Sequence, residues 1–390
     1  PVRFTRTLPL SFCFSVESFL NLKDASRTLE FAEIKADVVK IGEIPYKSLA
    51  EALAAAKDGD IITFLADITE NVTINKNLTI EGDDYKYTGT MTLGAVTATI
   101  QNVNFVNGEI VKTAQPISGT FEILNCTFTG ETTSGYAIKI GYASSLKIEG
   151  CTSTGNSFLY VPYSLANLYV KGVNVENANW AFHLVSIEAP VFENVTITDS
   201  YCGIVVQNTG NKVVTLDGCT ITATKPLVIW EKQTNNVTFQ FKNNNDFGTL
   251  APVWSIVNNN YVSESGSNYD VLKLALDATL KAADGATVVT DLTGYSVKYV
   301  DGKYVVKANK VAIGEETYAS LAEALEAAQA GDIIKFLADI NENVTIKKNI
   351  IIDGNNKQYQ YAGTMTISGD YDVTIQNVKF VKGYIVQNGS

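Results

Sequence analysis

The chain has 390 residues, 46% of them hydrophobic and 18% charged, with a mean hydropathy of +0.05. That is enough apolar material for large buried cores, and it excludes a disordered or collagen-like polymer. A net charge of −11 and an isoelectric point near 4.8 argue against a nucleic-acid partner, whose phosphates would be repelled. No run of eighteen apolar residues occurs, so no membrane span is expected. The only arginines are Arg3, Arg6 and Arg27, and the only histidine is His183. This removes most of the groups that acid–base and anion-binding sites recruit. Five cysteines, Cys13, Cys126, Cys151, Cys202 and Cys219, show no CxxC spacing and are odd in number. They fit neither a disulfide framework nor a zinc site, and neither a metal nor a cofactor is expected.

Residues 1–34 are assigned to an N-terminal extension or attachment segment. The apolar stretch Leu8–Phe14 behind Arg3 and Arg6 is short for a secretory leader, and no small-residue cleavage site follows. From there a duplication organises the chain: residues 41–111 recur as 313–386. IGEIPYKSLAEALAAAKDGDIITFLADITENVTI is matched by IGEETYASLAEALEAAQAGDIIKFLADINENVTI at a constant offset of 272, which later grows by three. Each copy opens on a helix signal: Ser48 with Glu51, and Ser320 with Glu323, have capping-box spacing before an Ala/Leu run that ends at Gly59 or Gly331. Alternating apolar segments follow at Ile61–Phe64, Val72–Ile74 and Leu78–Ile80.

A finer period runs between the copies. With Asn102 as marker, equivalent positions fall at Asn125, Gly150, Gly172, Asn194, Gly218 and Phe241, spaced 22–25 residues apart. One residue after the marker come Val103, Cys126, Cys151, Val173, Val195 and Cys219. Apolar alternation shifts phase across it, as a bend at Asn or Gly between two short strands would require. A later strand recurs as YAIKIG, FLYVPY, WAFHLV, CGIVVQ and LVIWEK. Aligned on their first residues, these predict a bulky column of Tyr136, Phe158, Trp180, Cys202 and Leu227. A second column holds Ile138, Tyr160, Phe182, Ile204 and Ile229. Between them runs an outward column of Lys139, Val161, His183, Val205 and Trp230. Columns at fixed phase predict an all-β fold: a right-handed parallel β-helix with short N-terminal capping helices, tandemly duplicated.

The boundaries are 35–248 for the first β-helix module, 249–306 for a C-terminal cover and connector, and 307–390 for the start of a second module, truncated or abbreviated. In the connector, Tyr269–Ala283 reads as a helix and Thr287–Lys307 as strands turning at Asp301-Gly302.

The string YASLAEALEAAQAGDIIKFLADI, preceded by GYSVKYVDGKYVV, is similar to modules repeated in very large surface proteins of gut bacteria. The coils resemble the pectin-lyase-like β-helix superfamily of lyases, galacturonases, adhesins and phage tailspikes, over about residues 35–390. The resemblance implies fold more than activity. Its lyases typically use an Arg or Lys base and acidic calcium ligands, and its galacturonases clustered Asp with a His. Here the coils hold no Arg, His183 has no Asp motif beside it, and the marker columns show no aligned carboxylates. The expectation is therefore no enzyme, with no catalytic residues. The chain reads as a non-enzymatic extracellular structural or adhesive protein: a stalk, filament segment or adhesin of a bacterial surface. A bacteriophage fibre or tailspike on the virion is the alternative, and a polysaccharide lyase or glycoside hydrolase the second. Lys139, His183 and Trp230 on the outward face are the candidate contacts for a cell-surface glycan or for self-association into a filament or oligomer. Cys126 and Cys151, stacked on adjacent coils, are expected as buried free thiols.

Overall fold

A computed structural model describes residues 36–132, 135–207, 212–230, 237–257, 260–263 and 272–388, together with a two-residue pairing of Leu20–Asn21 with Glu30–Phe31. The expected extension at 1–34 otherwise lies outside the described residues, as does Cys13.

The described residues form a right-handed parallel β-helix of about 14 turns, nearly all of it strand. Among the described residues of the first module, each coil feeds one strand to each of three sheets, of ten, thirteen and twelve strands. Neighbours within a sheet come from successive coils and pair in parallel. Only the ends depart from this, with antiparallel Val39–Ile41 against Ile44–Tyr46 at the start and two hairpins at the finish. Inside, an aromatic ladder climbs through Phe64, Tyr87, Phe105, Phe128, Phe158, Phe182 and Phe192, with successive ring centroids 4.8–6.3 Å apart. A single coil has no inside, so this core exists only because coils stack.

The bend behind the 22–25-residue period is a left-handed residue. Asn102, Asn125, Gly150, Gly172, Asn194 and Gly218 all have φ between +52° and +67°, a region open at low cost only to Gly and Asn. At Gly150 glycine is required twice over, because a Cβ there would lie 2.3 Å from the Asn125 side-chain oxygen of the coil below. The last marker is Asn243 (φ +53°) rather than Phe241, whose register partner is Leu216, two residues ahead of Gly218. Just past the bend, Cys126, Cys151 and Cys219 are free, fully buried thiols. Each donates to a carbonyl of the coil beneath: Ile100, Ile123 and Phe192, at 3.4–3.6 Å.

Helix α1 (Leu49–Ala55) covers the first coil, and α2 (Leu321–Ala327) repeats it in the second module. Seven residues are too few to be stable alone, and side chains of the adjacent coil hold both ends. Ser48 Oγ accepts from the Glu51 N–H, and the Glu70 carboxylate accepts from those of Leu49 and Ala50. Lys76 Nζ donates to the carbonyls of Leu53, Ala54 and Ala56, and Lys348 does the same for Leu325, Glu326 and Ala328. The second module has its own core around Ile334, Phe336, Ile352, Tyr361 and Met365.

Two expectations need correction. The helix expected at 269–283 is not found over its described residues, 272–283: Leu272–Leu274 and Thr279–Lys281 are strands that continue the stack. The hairpin at Asp301-Gly302 does form, with both residues at positive φ. The later-strand columns also slip, by one residue in the coil of Leu159 and by two in that of Leu227. The observed inward column is Ile138, Leu159, Phe182, Ile204 and Leu227. The residue before each is buried as well (Ala137, Phe158, Ala181, Gly203, Pro226), so alternation breaks at this corner.

Val195 and Ile197, both just past the bend at Asn194, are fully buried. Replacing either with Asp should cost more than about 4 kcal/mol, against about 2 kcal/mol for Val195→Ala. Urea melts followed by circular dichroism measure both, and parent-like midpoints for the Asp variants would refute the column assignment.

Candidate functional site

The outer face of the ten-stranded sheet carries the most unusual surface. With the register corrected, its central column runs Lys139, Tyr160, His183, Val205, Val228 and Trp254. Val161 points inward instead, and Trp230 sits two residues further along its strand, paired with Gln207. The aromatic rings nevertheless bring the three candidate residues together. Tyr160 stacks on His183 at 4.5 Å, Trp230 leans across Val205 to stack on it at 5.5 Å, and Trp180 meets it edge-on at 4.8 Å. The Tyr136 hydroxyl lies 3.2 Å from His183 Nδ1, and the Tyr136 ring stacks on Tyr160 at 4.9 Å. Lys139 holds its ammonium 5.8 Å from the Tyr160 centroid.

His183 is therefore only 5% exposed although it lies on the outside of the sheet. Its Nε2 has no hydrogen-bond partner among the described residues. Burial lowers its pKa to about 4 and pushes the Tyr136 phenol up to about 12, so both are neutral at pH 7. Ring faces within this stack are spent on one another. A ligand meets ring edges, phenol hydroxyls and the half-exposed rings of Tyr163 and Tyr201, at 43% and 42% exposure. Tyr163 is itself stacked on Tyr142 at 4.6 Å.

A second surface was not found from the sequence. Immediately before the bend, the thirteen-stranded sheet sets Glu149, Lys171, Glu193, Asp217 and Lys242 in one outward column on successive coils. Lys171 lies 3.0 Å from Glu193, and Lys147 lies 2.6 Å from Glu149. The Tyr169 hydroxyl also donates to Glu193. Hydrogen bonds from Tyr169 and Lys171 hold the Glu193 carboxyl below its ordinary range, and the bond from Lys147 does so for Glu149. The column is solvent-exposed, so these pairs contribute little stability. They do align carboxylates with lysines and a phenol on neighbouring coils. No group of three or more His, Cys, Asp or Glu placed to hold a metal exists among the described residues.

No family model matches the chain, and no curated protein matches it. Among solved structures, a PL6 family alginate lyase, AlyGC, is similar over 87% of this chain and 76% of its own, at 13% identity and a TM-score of 0.20. An arginine-to-alanine mutant of that lyase aligns at 12% identity, covering 87% and 72%, with a TM-score of 0.19. At so low a TM-score the fold rests on the parallel register of the coils themselves. The exclusion of enzymes is corrected here. Both solved structures named above are alginate lyases, and one residue before the marker Glu193 and Asp217 do align on adjacent coils.

Because His183 is the sole histidine, its titration is unambiguous. Its folded pKa of about 4 lies below the unfolded value near 6.5, so the unfolded chain binds the extra proton between them. Its contribution is complete above pH 6.5 and falls by roughly 3 kcal/mol as the pH drops toward 4. His183→Gln should remove that share of the slope in urea melts compared at pH 4.5 and 7. Imidazole NMR should show a midpoint near 4, and one above 6 would mean that the aromatic enclosure is open.

Proposed function

We propose that the chain is an extracellular adhesive spacer of a bacterial surface, a β-helix rod whose aromatic outer face contacts a polysaccharide. The observation carrying this reading is the repeated self-contained module. Each copy begins with its own helix cap, held by its own coil, over its own core. Ten stacked strands at ~4.8 Å make the first module roughly 45 Å tall. Duplication of such a unit adds length, or multiplies weak contacts, without new chemistry.

The contact face is supported by its composition. The strands Tyr136–Ile140, Ser157–Val161, Trp180–Leu184, Cys202–Gln207, Lys225–Trp230 and Val253–Val257 contain no Asp or Glu, in a chain with 41 of them. What they present instead is a ladder of Tyr and Trp with Lys139 above it. Phenol hydroxyls and ring edges suit a hydroxyl-rich ligand laid along the coils.

Co-sedimentation with a panel of bacterial and plant polysaccharides tests this. Binding should weaken about tenfold on Tyr163→Ala or Lys139→Ala, with melting temperatures unchanged. Failure to bind across the panel would leave the rod without an adhesive role. Unsaturated or reducing-end products in the supernatant would make the contact face, or the Glu149–Asp217 column, a catalytic one.

A further inference from the structure

Two coils beyond His183, the same outer face contains a built site for an organic cation, and the chain fills it itself. Lys225 opens its strand in register with Cys202 and is only 7% exposed. Its ammonium lies 3.7 Å from the ring centroid of Tyr201, 4.6 Å from that of Tyr261 and 5.4 Å from that of Trp254. Among the described residues no carboxylate pairs with it. The charge is stabilised by three π faces.

Two of those walls belong to the antiparallel hairpin of Val253–Val257 and Asn260–Ser263 that finishes the ten-stranded sheet. Beneath the hairpin lies an apolar cluster separate from the solenoid core: Cys202, Val205, Val228 and Ile256. The Cys202 thiol donates to the Tyr261 hydroxyl at 3.6 Å and is fully buried. A terminal antiparallel hairpin is a place where a parallel stack would fray; Val253–Val257 is paired along the ladder to Lys225–Trp230, and on the outer face the rings of Trp254 and Tyr261 close around one ammonium.

We propose that Lys225 is a cation–π latch that holds this hairpin shut over a second, exterior core. The proposal does not depend on glycan binding. Native-state alkylation with iodoacetamide, read per cysteine by mass spectrometry, tests it. Lys225→Met keeps length and apolarity but loses the charge, and should make Cys202 react at least about tenfold faster. Lys225→Arg should stay close to the parent. Cys126, Cys151 and Cys219 should stay protected in every variant, showing that the solenoid is intact. In Lys225→Ala, tetramethylammonium should restore protection of Cys202, and tert-butanol, of similar size and neutral, should not. Parent-like protection in Lys225→Met would overturn the latch in favour of plain apolar packing. Simultaneous exposure of all four thiols would overturn it in favour of a role in the whole fold.

Discussion

Everything in this protein depends on coils lying in register, one above another. Parallel pairing satisfies the backbone of each strand only if the next coil arrives in the same phase, and only then do inward side chains meet their own kind. The left-handed bend residue enforces that phase. Asn and Gly recur every 22–25 residues because the backbone there must turn through positive φ. Glycine follows asparagine at Gly150 because the Asn125 side chain occupies the space where a Cβ would sit. The thiols beside the bend serve the same geometry, since Cys126, Cys151 and Cys219 supply donors to carbonyls of the coil below.

The exterior chemistry inherits this order. A β-helix places equivalent positions a single strand spacing apart, so any outward column concentrates what its sequence supplies. On the thirteen-stranded sheet the result is a column of mixed charge, in which Lys171 pairs with Glu193 along the axis. On the ten-stranded sheet it is an aromatic stack dense enough to bury a histidine on the outside of a protein. The proximity of Tyr136, His183 and Trp230, four coils apart at their extremes, comes from long rings leaning along the axis.

Much of the fold was legible because the bend imposes a residue-type constraint that survives divergence. The capping helices were legible for a similar reason: Ser48 with Glu51 states a local hydrogen bond. The corner near Phe158 was not, because two successive buried residues break the alternation on which column assignment relied. Residues 272–283 were misread because leucine density was weighed above spacing. Leu272 and Leu274 are buried with Lys273 between them, which is a strand pattern. The carboxylate column was not legible because the position before the bend varies from Gln101 and Leu124 to Glu149, Lys171, Glu193 and Asp217, with no repeated residue type to mark it. The lysine box was out of reach, since Tyr201, Lys225, Trp254 and Tyr261 meet only through register.

The helix caps have a consequence for how the rod is assembled during synthesis. The bonds that pin α1 join residues only 20–23 apart, from Glu70 and Lys76 back to the helix ends. A closed end can thus form as soon as the first coil has left the ribosome, and each later coil needs only its predecessor as a template. Growth then proceeds in one direction, like courses of brick on a laid footing. In a chain that contains nearly the same coil sequence twice, a second footing at α2 gives the later copy its own starting point. It lowers the chance that those strands dock onto the wrong copy.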